Sequence, residues 1–129
     1  MVKLNSSVNK YNQRQNGYNI EQAAAKFLKQ KHGLKWIDNN FSCKLGEIDL
    51  IMQNQSHLIF VEVRFRSSPH FADGASSITY QKQQKLKKTA LYYLQQHQLM
   101  DKVNARFDVV SAYPQYGQWH FEWIQNAFD

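Results

Sequence analysis

Apolar and polar positions follow two different periods along this chain. From Ile20 to about Lys31, the residues Ile20, Ala23, Ala24, Phe27 and Leu28 recur at three- and four-residue spacing, as one stripe of a helix does. Asn19 stands where a capping side chain is favoured, and Gly33 where a helix ends. Leu86, Ala90, Tyr93 and Leu94 repeat the helical spacing, so a second helix is predicted over 79–97, with Lys and Gln on its other surface. Elsewhere the period is two. Residues 34–43, 47–52 and 57–66 predict three strands, with "QNQS" (53–56) as a polar turn. "ARFDVVSAY" and "QWHFEWI" predict two late strands, separated by the turn residues Pro114 and Gly117. The order is helix, three strands, helix, two strands. Short connections make the first three strands an antiparallel meander, and the second helix allows a crossover into a parallel pairing. The expected class is α/β, a mixed sheet of about five strands flanked by helices.

Two segments follow neither period. Residues 1–17 are dominated by Asn, Gln, Ser, Lys and Arg and read as a flexible polar arm carrying Lys3, Lys10 and Arg14. A single domain is expected over 18–129, as suits a chain of 129 residues. "SSPHFADGASS" (67–77), with Pro69 and Gly74, reads as a loop.

The strand segments carry charge in an ordered way. In 57–66, Ile59, Val61, Val63 and Phe65 fall on one face, and Glu62, Arg64 and Arg66 on the other. In 47–52, Ile48, Leu50 and Met52 fall on one face, and Glu47 and Asp49 on the other. If the two apolar faces share one core, the loop between the strands has even length. Asp49 and Glu62 then stand opposite or diagonal, with backbones roughly 5–8 Å apart. Converged carboxylates repel and resist desolvation, so a positive charge must offset them. Arg64 is one source. A hard divalent cation, Mg²⁺ or Mn²⁺, is the other, since such ions take one or two carboxylates plus substrate phosphate. A sheet face wetted by solvent, with surface ion pairs, accounts for the same alternation.

Composition narrows the partners. The net charge of +6 favours an anionic partner, nucleic acid before an anionic membrane surface. No apolar run approaches the ~20 residues of a membrane helix, and residues 1–19 have no secretory apolar core, so a cytoplasmic location without membrane partners is expected. The lone Cys43 excludes an internal disulfide and reads as a structural thiol near a strand end.

"GEIDLI" followed by "FVEVR" resembles the core of the PD-(D/E)XK nuclease superfamily, where an Asp on one strand precedes a Glu and a Lys, one residue apart, on the next. The closer resemblance is to the YraN family of bacterial proteins, which are similar to Holliday-junction resolvases of that superfamily. It runs through most of the chain: "RQNGYNIEQAAAKFL", "GEIDLI", "FVEVRFR", "ITYQKQQKLKKTALYYL" and "RFDVV" occur in the family's order. The resemblance implies a restriction-endonuclease-like fold and a metal-dependent endonuclease acting on DNA, in particular branched DNA. It implies Asp49 and Glu62 as metal ligands, Glu21 as the supporting helical carboxylate, and Arg64 as the third member of the catalytic set. Glu21 shares a helix side with Ala24, Ala25 and Leu28, and as a first-turn acid it is also favoured by the helix dipole. Arg64 departs from the superfamily, which has Lys there. A guanidinium stays protonated and is a poor general base, although it stabilises charge on phosphoryl oxygens.

The lysine-rich surface of the second helix points the same way. Lys82, Lys85, Lys87 and Lys88 lie within seven residues; Lys82 and Lys85 neighbour one another on the helix surface, and Lys82 and Arg66 flank the proposed pocket in the pattern. Such lysines contact phosphates with salt-sensitive affinity, and they also suit an ordinary solvated helix face. DNA is expected before RNA. Trp119, Phe121 and Trp123 share a strand face that suits the core, or an interface with a second copy in a homodimer. Three function classes follow: a metal-dependent nuclease, a nucleic-acid-binding protein on a nuclease scaffold with little or no turnover, and a protein–protein adaptor using the aromatic strand.

Overall fold

In the computed structural model, residues 19–67 and 78–129 are described. The polar arm and all but the first residue of the 67–77 loop lie outside them. The first helix, α1 (Ile20–His32), starts where Asn19 Oδ1 accepts from the amides of Glu21 and Gln22 at 2.9 and 3.1 Å. It ends at Gly33, whose φ of 69° is left-handed backbone that glycine adopts without a Cβ penalty. Three antiparallel strands follow: β1 (Lys35–Cys43), β2 (Gly46–Gln53) and β3 (His57–Phe65). The second helix, α2 (Tyr80–Gln96), is capped by the Thr79 hydroxyl, which accepts from the Lys82 amide. It crosses over to β4 (Asn104–Gln115), which pairs in parallel with β3, and β5 (Gln118–Phe128) returns antiparallel to β4. Spatial order equals chain order, β1-β2-β3-β4-β5.

The sheet has two cores, one on each face. Under α1, Ala24, Ala25 and Leu28 meet Leu50, Met52, Ile59, Val61 and Val63. The two alanines let the helix lie close to the sheet. Under α2, Leu86, Ala90 and Tyr93 meet Ile48, Ile51, Leu58, Phe60 and Val109. This corrects the expectation of one apolar and one charged strand face. Leu58 and Phe60 lie on the same side of β3 as Glu62, and both are buried. Charge is confined to one end of that face, at and beyond Glu62. The alternating pattern missed this because strands covered on both faces read as near-continuous apolar runs. Two members of the aromatic stripe of β5 are partly buried: Phe121 and Trp123 pack against the core under α1, with Phe121 stacked on Phe27 at 5.4 Å.

Close packing fixes the start of β2. A Cβ on Gly46 would lie 2.8 Å from Thr89 Oγ1 of α2, so only glycine admits this approach. On the same side, burial, and secondarily the Asp38 carboxylate, pushes the Tyr93 phenol above its ordinary pKa.

Candidate metal and phosphodiester site

The register of β2 and β3 decides whether the two strand acids meet. Their ladder runs from Gln53↔Leu58 to Leu50↔Val61, with an even connection between Gln53 and Leu58. Continued by one position, the same register sets Asp49 against Glu62. The ladder itself stops at Leu50↔Val61, and there the Asp49 side chain takes over: its Oδ2 accepts from the Val63 amide at 2.9 Å. The acid thereby closes the end of a strand pairing and is fixed in place by it. Asp49 is 4% exposed and Glu62 6%.

The alternation of β2 is irregular at Asp49. Ile48 packs with Ile51 in the core under α2, whereas Leu50 and Met52 pack under α1. The expected shared face of Ile48, Leu50 and Met52 is therefore broken, and the alternation slips at Asp49. Asn40, opposite Asp49 between the pairs Asn39↔Leu50 and Phe41↔Ile48, has a φ of 55°. Asparagine tolerates that left-handed conformation better than most residues.

Glu62 gathers the positive charge. Arg64 Nη1 and Lys82 Nζ each lie 3.6 Å from its Oε2, one from the same strand and one from the first turns of α2. Arg66 turns toward β5, paired with Glu122 and set over the Tyr113 ring at 4.9 Å. Lys85 is exposed on α2. Glu21 is buried beside Ala24, Ala25 and Leu28 on the α1 side, as its helical position implied. Among the described residues, no group of three or more His, Cys, Asp or Glu side chains could hold a metal ion. Mg²⁺ and Mn²⁺ retain several waters and complete their shell with substrate phosphate, so one or two carboxylates suffice to bind them.

Sequence reasoning passed over one buried acid. Asp108 of β4 is fully buried and accepts four hydrogen bonds: two from Arg106 at 3.0 Å, one from Trp123 Nε1 at 2.8 Å and one from the Asn126 amide at 2.9 Å. It bridges the register shift between Phe107 and Val109, tying β5 to β4. The i, i+2 spacing of Arg106 and Asp108 was the available signal. Trp123 lies far along the chain and gave none.

A model of the uncharacterised protein family UPF0102 matches residues 20–112. The chain is similar to a UPF0102 protein of Coxiella burnetii, 46% identical over 113 residues that cover 88% of this chain and 91% of that protein. It is 45% identical to one of Legionella pneumophila over 84% of this chain and 90% of that protein. A third, from Photobacterium profundum, is 43% identical over 90% and 91%. The matched span contains Glu21, Asp49, Glu62, Arg64 and Lys82. No helix among the described residues is long and apolar enough to cross a membrane.

Proposed function

The chain belongs to the UPF0102 family, and for this member we propose a metal-dependent endonuclease-like protein that acts on phosphodiesters of DNA, branched DNA included. One observation carries the reading. Two acids are buried on adjacent strands near the end of their ladder, and two cationic side chains converge on the second of them. A pair of buried carboxylates is costly to ionise, and perturbed carboxylates of this kind cluster at functional sites. Asp49 and Glu62 would hold Mg²⁺ or Mn²⁺, which when bound polarises a phosphoryl oxygen and acidifies a water. Arg64 offers a fixed fork of donors to phosphoryl oxygens. Lys82 brings to Glu62 an ammonium from α2, a point charge that suits a phosphate oxygen beside the carboxylate. The net charge of +6 holds a polyanion near this otherwise acidic pocket.

The test is cleavage of linear, flapped and four-way DNA by purified protein with Mg²⁺ or Mn²⁺. Cutting that Asp49→Ala abolishes, while binding in EDTA survives, is the expected result. An Asp49→Ala protein that cuts as well as the parent overturns the reading. Arg64 at the position of the usual Lys favours a second reading, a nucleic-acid-binding protein without turnover. That version predicts salt-sensitive binding, weakened by Lys82→Gln with Lys85→Gln, and no cutting of any substrate.

A further inference from the structure

The β1–β2 turn and the C-terminal half of α2 border an open cavity of about 770 Å³, whose lining includes neither Asp49 nor Glu62. We propose that it takes an unpaired nucleobase from the strand whose phosphodiester lies at Glu62. The inference rests on the nucleic-acid reading above and adds to it the class of substrate: DNA with unpaired nucleotides beside a duplex. Four observations carry it. The volume lies in the range of small-molecule pockets, and the walls are aromatic, with Phe41 and Tyr92 at 6.4 Å between ring centroids. Phe41 is braced by Tyr93, edge-on at 5.0 Å, while Tyr92 is 36% exposed and presents a face to solvent.

Polar groups border that aromatic wall. The His97 ring stacks on Tyr93 at 4.0 Å, and its Nδ1 lies 3.0 Å from the Tyr93 carbonyl. A carbonyl only accepts, so Nδ1 donates there and Nε2 remains as the ring's second hydrogen-bonding atom. Gln96 adds an amide with both donor and acceptor. Charge complements an anion: Lys44 lines the cavity, and no acidic residue among the described residues does.

The last observation is a basic track joining the cavity to the site. Lys85, Lys88 and Tyr92 are exposed and spaced three and four residues apart, so they form one ridge of α2 that begins beside Lys82. Ten residues of helix separate Lys82 from Tyr92, ~15 Å, a distance spanned by about four stacked nucleotides. Stacking on aromatic faces with lysines along the backbone is the general mode of single-strand binding.

The experiment measures binding by fluorescence anisotropy in EDTA. It compares a blunt duplex with the same duplex bearing a short single-stranded extension. Tyr92→Ala is expected to weaken binding of the extended duplex about tenfold and to leave the blunt duplex unchanged. Tyr92→Phe, which keeps the ring, is expected to bind like the parent. An extension of abasic nucleotides is expected to add nothing over the blunt end. The proposal is overturned if Tyr92→Ala binds both DNAs as the parent does, weakens both equally, or if the parent binds neither. Failure of the nuclease reading is separable, because it appears as absence of cutting in Mg²⁺ while the Tyr92 difference in EDTA persists.

Discussion

Buried acids in this protein fall into two kinds that their surroundings distinguish. Asp108 is saturated by donors: a bidentate guanidinium, an indole N–H and a backbone amide use the hydrogen-bonding capacity of its two oxygens. Its role is to weld β5 onto β4. Asp108→Ala strands Arg106 and the Trp123 indole, and it is expected to cost about 3–5 kcal/mol of stability. Chemical denaturation reads this directly, and a loss below about 1 kcal/mol contradicts the structural assignment. Asp49 and Glu62 differ in kind. Asp49 stands one position past the last β2–β3 pair, whereas Glu62 lies within the β3–β4 ladder, opposite Val109. Asp49 replaces a ladder contact, and Glu62 stands at the point where the apolar cover of α2 gives way to Lys82. Acids so placed are held rigidly while remaining next to a polar end of the sheet, which is what a cation site needs.

The elements themselves were legible from the chain because local signals agreed. Asn19 and Gly33 bracket α1, Thr79 caps α2, and the strands lie where the period of two placed them. The even β2–β3 connection followed from requiring a common core for Leu50, Met52, Ile59 and Val61, and the register has that parity. The slip at Asp49 was not legible. It appears only in the packing, where Ile48 joins the core under α2 and Leu50 the core under α1, and it has no pattern of its own in the sequence. Nor did alternation reveal that the face of Leu58 and Phe60 is covered, because both faces of a central strand are apolar. The contact of β2 with α2 has a sharp consequence. Gly46→Ala drives a methyl against Thr89 Oγ1 and is expected to cost about 1–3 kcal/mol. Combining it with Thr89→Ala, which removes that oxygen, should give a double mutant less destabilised than the sum of the singles, the mark of direct contact. Additive losses in thermal melts would place the cost elsewhere.

At the scale of the molecule, the mixed sheet and its two helices distribute labour. α1 seals one face with small residues and buries Glu21. α2 seals the other face, brings Lys82 to Glu62 at its start, and forms a wall of the aromatic cavity near its end. One helix therefore joins the acidic site to the proposed base pocket along a basic ridge. In the proposed function, the positive charge of the whole chain attracts a polyanion at long range, and the two buried acids accept it locally only together with a divalent ion. The carboxylate pair is the centre on which this depends, and calorimetric titration of the parent with Mn²⁺ tests it most directly. A saturable binding heat in the parent that Asp49→Ala and Glu62→Gln both remove is the predicted result. No binding heat in the parent, or heat that persists unchanged in both variants, contradicts it.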